Sequence, residues 1–412
     1  MKIAILSTSD LNGGAAIACY RLAEALVNYG HEVSLLVVEK RSDKDWVIGV
    51  RDSLGKLNGF LKDAQYHWNR KRLFKGDYAY SGNPWFGVAV AQHPKLLSAD
   101  VINMHWVNHG YLGQTQLQSI FALQKPIIWH MHDCWSFTGG CHYTGTCTNF
   151  EQGCGHCPAL LKTGAKDASF RQMQWKMRLF KLNPPVLVGS SQWLTQLAGR
   201  SALAKVAKTA HIPIPIDTQF YQAESREEAR QKLGLEADRR YLLFAAMNAA
   251  DKRKGFSFLM QALKMLEHEK NKPCLLVAGK ADEAILNTLN YDFKLLGSLQ
   301  TEGMRSAYRA ADYFVIPSLE DNLPNTVLES MASGTPVIGF KTGGIAEMVD
   351  HEHNGWLAMP EDAADLAEKL KLAMSTGNTR AYREAALTKM LEVYHPVHIA
   401  KRYTELMTRL KK

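Results

Sequence analysis

An α/β architecture built on parallel sheets, in more than one domain, is what this sequence predicts, and three observations carry the prediction. Short β-branched and aromatic runs alternate with segments of helical apolar spacing, the pattern of strands joined by crossover helices. At 412 residues the chain exceeds what one hydrophobic core usually organises. An apolar share of 46% beside 22% charged residues is that of a globular chain and excludes disordered or fibrous classes. No apolar run approaches the roughly 20 residues needed to span a bilayer. The run at residues 2–6 is too brief for a signal-peptide core, so a cytoplasmic setting is expected.

Strands are expected at residues 2–6, 32–38, 101–105, 126–131 and 185–189 in the first half. In the second half they are expected at 241–246, 274–278, 293–296, 313–316 and 336–340. Between the halves, residues 211–217 alternate isoleucine and proline, which suits a stiff linker. Residues 397–410 read as a helix. Gly13-Gly14 follows the first strand and opens a helix, so the backbone there can approach a ligand closely, or simply turn tightly. His31 lies at a helix-to-strand turn and reads as structural.

The most informative stretch is 317–347, PSLEDNLPNTVLESMASGTPVIGFKTGGIAE. Strand 313–316 ends at Pro317, an acidic loop follows, and Thr326-Val327-Leu328-Glu329 opens a helix that Gly334 and Pro336 stop. Asp321 and Glu329 therefore lie at the carboxyl end of a strand and at a helix start, where open α/β sheets bind ligands. A plainer reading makes Thr326 and Glu329 a capping box, worth about 1 kcal/mol of helix stability and no chemistry. A basic loop, Lys252-Arg253-Lys254-Gly255, precedes a helix whose Phe256, Leu259, Met260 and Leu263 share one face. His130-Met131-His132-Asp133 follows the strand run at 126–129.

The acid, seven-residue gap and glutamate at Asp321 and Glu329, with Gly343-Gly344-x-x-Glu347 behind, resemble the signature of family 4 retaining glycosyltransferases. Those enzymes use nucleotide-diphosphate sugars and have the GT-B fold, two Rossmann-like parallel-sheet domains facing a cleft. The resemblance implies an acceptor-side domain at 1–213, a donor domain at 214–388, and a helix at 389–412 crossing back to the first domain. It implies donor contacts from Gly13, Gly14, Asn322, Leu323, Asn325 and Thr326, with Glu329 on the ribose and Asp321 on the sugar. Lys254 matches the family lysine at the diphosphate, and Arg253 stands in for an arginine whose usual place holds Ala249. Cations aimed at a departing diphosphate lower the barrier, so no catalytic metal is expected. His132 matches the family histidine at the donor sugar, a prop for positive charge at the anomeric carbon. The chain departs from the pattern where Asp321 replaces glutamate, with Glu320 one residue early, and where Asn322, Leu323 and Pro324 replace glycines.

Five of seven cysteines fall within residues 134–158: Cys134, Cys141, Cys147, Cys154 and Cys157. In a reducing compartment a structural zinc on Cys141, Cys147, Cys154 and Cys157 outranks disulfides, with free buried thiols close behind and a catalytic cysteine last. His142 or His156 could replace one thiolate. A similar cysteine-rich insertion marks some bacterial family 4 enzymes of surface-polysaccharide synthesis, where it would shape the acceptor side.

A net charge of +9 suits an anionic partner: a sugar-nucleotide, a lipid diphosphate or the inner face of a cell membrane. A basic amphipathic stretch at 170–182, or the basic segment at 69–75, could make that peripheral membrane contact, though packing under a strand explains the first equally. The basic residues are dispersed and no nucleic-acid reader motif is present, so nucleic acid is not the expected partner. The function expected is sugar transfer to a glycan or lipid-linked glycan. A non-catalytic nucleotide-sugar binder and a Cys/His-knuckle nucleic-acid protein are the rival classes.

Overall fold

The computed structural model describes residues 1–50, 75, 80–81, 87–108, 111–376 and 379–411. The chain divides into two compact units, Met1–Pro215 with Val397–Lys412, and Ile216–Pro396.

The first unit holds a seven-stranded parallel sheet. Its strands are β1 (Lys2–Ser9), β2 (Glu32–Glu39), β3 (Val47–Gly49), β4 (Val101–Met104), β5 (Ile127–Met131), β6 (Val186–Gly189) and β7 (Lys208–His211). They lie in the order β3-β2-β1-β4-β5-β6-β7. The second unit repeats the plan with β8 (Tyr241–Asn248), β9 (Cys274–Lys280), β10 (Phe293–Gly297), β11 (Tyr313–Ile316), β12 (Val337–Phe340) and β13 (Gly355–Ala358), ordered β10-β9-β8-β11-β12-β13. All pairings between these strands are parallel, as in Ile5 beside Asn103 and Phe314 beside Leu243. Strand order therefore reverses beside β1 in one unit and beside β8 in the other. In open α/β sheets, ligands bind outside the carboxyl ends of strands at such a reversal.

Helix α1 (Gly14–Asn28) follows β1 and buries Cys19, Leu22 and Leu26 on the sheet. Helix α2 (Ala168–Leu182) settles the two readings of its apolar face. Met173 and Phe180 are fully buried, and Phe180 stacks on Phe121 with ring centroids 5.9 Å apart. That face belongs to the core, which removes it as a membrane anchor; Lys176, one of the basic residues of the stretch, is fully buried too. The alternative anchor at 69–74 lies outside the described residues. No helix among the described residues is long and apolar enough to cross a membrane.

In the second unit, α3 (Phe256–Met265) follows the basic loop, α4 (Thr301–Ala310) precedes β11, and α5 (Asn325–Ala332) precedes β12. The last helix, α6 (Pro396–Leu410), packs Ile399, Ala400, Tyr403 and Met407 against Ile3, Val101 and Ile128 of the first unit. His31 ties into the same helix, its Nε2 lying 2.7 Å from Thr404 Oγ1.

Candidate functional site

The reversal point of the second sheet gathers the acid and the cations. After β8 the chain forms one 3-10 turn at Lys252–Lys254, whose Arg253 amide donates to Asp251. Gly255 then adopts a left-handed backbone with φ +68°. A Cβ at that position would lie 1.8 Å from the Pro317 carbonyl oxygen, so only glycine lets the basic loop press onto the end of β11. Two bonds seal the contact: Leu319 N–H donates to the Arg253 carbonyl at 2.8 Å, and Arg253 Nη1 donates to the Glu320 carbonyl at 2.9 Å.

Asp321 is buried between these cations. Its Oδ2 lies 2.7 Å from Lys254 Nζ and 3.4 Å from Arg253 Nη1. Burial opposes ionisation, but Lys254 and Arg253 outweigh it and hold the carboxyl below the usual range. The far side is closed by Gly343, φ +47°, where a Cβ would lie 1.9 Å from the Asp321 carbonyl oxygen. Gly344 N–H donates to the same oxygen at 3.1 Å. Of the two acids open as candidates, Asp321 brings its carboxylate to the cations, while Glu320 meets Arg253 through its carbonyl.

Glu329 stands on α5, and its surroundings correct the capping expectation. The helix begins at Asn325 with Pro324 as its N-cap and has no side-chain cap bond. Glu329 is thus the fifth helical residue, too far along to close a box with Thr326. Instead its Oε2 accepts from the Tyr308 hydroxyl of α4 at 3.1 Å. Asn322 and Leu323 are buried, and Asn325 and Thr326 half-buried, around the start of that helix.

In the first unit, Gly13 caps α1 with φ +92° and offers no side chain; a Cβ added there would meet nothing within 4 Å. Gly14 is the first residue of that helix. Beside it, across the reversal, the chain beyond β4 carries His105, and the chain beyond β5 carries His132 and Asp133. His105 Nδ1 lies 2.9 Å from His132 Nε2. Burial lowers the His132 pKa to about 4 against the pull of Asp133, so the ring is neutral near pH 7. His130 is structural: its two nitrogens meet the Tyr403 hydroxyl and, at 2.8 Å, Ser190 Oγ.

Asp133 heads a chain that the sequence did not disclose. Its Oδ2 lies 2.7 Å from His142 Nδ1, and His142 Nε2 lies 2.6 Å from Ser81 Oγ. Burial raises the Asp133 pKa, yet His142 outweighs it and the net shift is downward. Both ring nitrogens of His142 are thereby occupied, so it does not substitute for a thiolate. All seven cysteines are free thiols. Among the described residues, no group of three or more His, Cys, Asp or Glu stands assembled as a metal site.

Residues 239–375 match the family model described as group 1 glycosyl transferases. Over 402 residues the chain is 30% identical to an uncharacterized glycosyltransferase of Methanocaldococcus jannaschii, covering 93% of this chain and 91% of that protein. It is 26% identical over 217 residues to a lipopolysaccharide 1,2-N-acetylglucosaminetransferase of Salmonella typhimurium, covering 49% and 56% of the two chains. The solved structure of Anabaena HepE in complex with UDP-glucose is similar in fold, with a TM-score of 0.63 at 16% identity over 99% of this chain and 100% of that one. Two doubly wound parallel sheets of this kind define the GT-B class. The chain belongs to the group 1 glycosyltransferases, a family with members in polysaccharide biosynthesis.

Proposed function

We propose that the protein is a retaining glycosyltransferase that moves a sugar from a nucleotide-diphosphate donor to a glycan or lipid-linked glycan in surface-polysaccharide synthesis. The observation that carries this reading is the meeting of Lys254, Arg253 and Asp321 at the reversal point of the second sheet. In this reading the second unit binds the donor and the first the acceptor. Glu329 hydrogen-bonds the donor ribose from α5, and Asn322, Leu323, Asn325 and Thr326 line the donor beside it. Gly13 and Gly14 admit the donor close to the backbone of α1.

During transfer the bond from the anomeric carbon to the diphosphate oxygen breaks, and its electron pair leaves with the diphosphate. Lys254 and Arg253 neutralise the charge that accumulates there, a stabilisation that is larger in the transition state than in the bound donor. The acceptor hydroxyl oxygen bonds to the same face of the anomeric carbon and gives up its proton to the departing diphosphate oxygen. His132, neutral because it is buried, tolerates the positive charge developing on the sugar and contacts a sugar oxygen. Asp321 orients the sugar while its own charge is balanced by the two cations.

The UDP-glucose bound to HepE makes uridine diphosphate sugars the first donors to try. A thermal-shift screen against nucleotide sugars tests binding, since a ligand at a hundred times its dissociation constant adds about 2.7 kcal/mol. Donor hydrolysis or transfer, followed by NMR of the product anomer, tests the reaction. Stabilisation by a donor with neither hydrolysis nor transfer to any glycan would leave a binding protein.

A further inference from the structure

The cysteine-rich loop of the first unit is not used by the transfer reaction, yet its residues are arranged with some strain. Cys141, Cys147, Cys154 and Cys157 all line one small cavity of about 20 Å³, walled also by Tyr80, Gly139 and Phe150. Gly153, Cys154, Gly155 and His156 are all left-handed, with φ of +105°, +63°, +99° and +46°. Two of these are not glycine, and each such residue costs about 1–3 kcal/mol. A Cβ on Gly155 would lie 2.6 Å from the Ala165 carbonyl oxygen, so the turn is also pressed against the chain behind it. This coil brings Cys154 and Cys157 to the same cavity.

The groups around the sulfurs include amide donors and a cation, with one carboxylate, Asp167, accepting from the Cys157 amide at 2.9 Å. Gly139 N–H donates to Cys154 Sγ at 3.2 Å, and the Ala159 amide bonds to Cys157. Lys176 of α2 is wholly buried. Its Nζ donates to the carbonyls of Trp135 and Thr138 and lies 3.8 Å from the centroid of the Trp135 ring. No carboxylate among the described residues forms an ion pair with it; burial lowers its pKa to about 7, against which Cys154, Cys141 and, behind them, Asp133 pull it upward by charge. A buried ammonium without an anion is costly unless something supplies the missing negative charge. Amide donors aimed at sulfur likewise suit a thiolate better than a thiol.

We infer that Cys141, Cys147, Cys154 and Cys157 bind one zinc ion as thiolates, with Lys176 as the buried counter-cation of the site. A zinc ion takes four thiolates at about 2.3 Å in a tetrahedron. The sulfurs line one cavity without standing as an assembled ligand set, so metal binding has to draw them together. Binding exchanges four thiol protons for one Zn²⁺, leaving a centre of charge −2 of which Lys176 offsets one. Cys141 precedes His142, so the metal fixes the loop that carries His142 to Asp133, beside His132. The role is structural, with no zinc-bound water and no part in bond breaking.

Elemental analysis of the full chain, purified without a metal-affinity step from zinc-supplemented cells, should give about one zinc per chain, with sulfur-only coordination near 2.3 Å by X-ray absorption. Cobalt(II) should displace it with the intense visible bands of a tetrahedral thiolate site. Cys154→Ser should lose the metal, and Lys176→Met should weaken retention against a chromophoric chelator by about 10–100-fold. Should the cysteine variant fail to fold, the metal count and cobalt spectrum of the parent chain still decide. Metal-free protein carrying four titratable thiols or two disulfides would overturn the inference. So would a Lys176→Met variant that melts higher than the parent at unchanged metal content.

Discussion

Lys254 Nζ lies 2.7 Å from Asp321 Oδ2, and that pairing changes what the basic loop does before any donor arrives. The two cations proposed for the diphosphate are already engaged by a buried carboxylate, with Arg253 3.4 Å from the same oxygen. In the proposed reading, donor phosphates share these cations with Asp321 and do not meet a bare basic patch. Lys254→Ala should lower transfer by about 10²–10³-fold, the range for removing one oriented donor from a developing anion. Nucleotide affinity should fall much less, because the charge matters most as the diphosphate departs. Single-turnover rates beside equilibrium binding separate the two effects, and equal losses in both would assign Lys254 to ground-state binding.

The same pair sets an acid limit. The folded pKa of Asp321 is lowered, so its ionised form stabilises the fold above the ordinary aspartate pKa of about 3.9, and that stabilisation is lost as pH falls through the folded value. The melting temperature of Asp321→Asn should lie below that of the parent at pH 6, and the gap should close below pH 4. A gap independent of pH would mean that the carboxylate charge contributes nothing.

Glu329→Gln should keep the fold, for a reason found in α4 and not in a capping box. The glutamine carbonyl can still accept from Tyr308, whose hydroxyl is 3.1 Å from Glu329 Oε2. Loss of the charge-assisted bond to the ribose should cost about 1.5–3 kcal/mol of nucleotide affinity. Tyr308→Phe makes the control, since it releases the carboxylate without discharging it. Calorimetric titration with nucleoside diphosphates is the measurement, and unaltered affinity in Glu329→Gln would remove the residue from the donor site.

Most strands that sequence reasoning located are apolar runs buried in the sheet, such as β4, where Val101, Ile102, Asn103 and Met104 are all inaccessible. β10, a partly exposed edge strand, was found from its Phe-Lys-Leu-Leu run. Three strands among the described residues escaped it, and all three are sheet edges. β3 has three residues, β7 reads Lys-Thr-Ala-His with water on most of it, and β13 has four and opens on a glycine. β3 and β7 are too short or too polar for their letters to announce them, and β13, apolar at Trp356, Leu357 and Ala358, is too short to stand out. At the site, Lys254, Asp321 and Glu329 were legible because loop lengths at strand ends fix their places. Their partners were not. Tyr308, His105 and the Ser81–His142–Asp133 chain depend on packing between segments that no local spacing records.

His105 should govern the state of His132. Nothing among the described residues pairs with the buried His105 Nε2, and an unpaired lone pair there costs less than an unpaired N–H. The proton then sits on His105 Nδ1, which donates to His132 Nε2 over 2.9 Å and leaves the His132 proton on Nδ1 as a donor. Nitrogen-15 NMR should therefore find His132 as the Nδ1–H tautomer. Its titration should be displaced from the ordinary 6.5 to about 4. Because the folded pKa is depressed, this histidine's contribution to stability is complete above pH 6.5 and lost as pH falls toward 4. His105→Phe should shift the tautomer and reduce kcat more than KM, and an unshifted spectrum would break the link between the two rings.

Gly255 and Gly343 hold the donor loops from opposite sides, and neither should accept a side chain. At Gly255 a Cβ would lie 1.8 Å from the Pro317 carbonyl oxygen; at Gly343 it would lie 1.9 Å from that of Asp321. Both also have left-handed backbones, which alone cost a non-glycine residue about 1–2 kcal/mol. Relief of the first clash moves Lys252–Lys254 off the end of β11, and relief of the second moves Asp321 away from its cations. Gly255→Ala and Gly343→Ala should therefore reduce nucleotide binding and lower the melting temperature of the second unit, while leaving the His105–His132 signals of the first unit in place. Gly13→Ala is the comparison for melting temperature: its φ of +92° is also positive, but no atom lies within 4 Å of the added carbon, so it should cost backbone strain without a clash. Comparable losses of melting temperature in all three variants would show that strain alone is being measured, and that the close approach at Pro317 and Asp321 does not build the donor site.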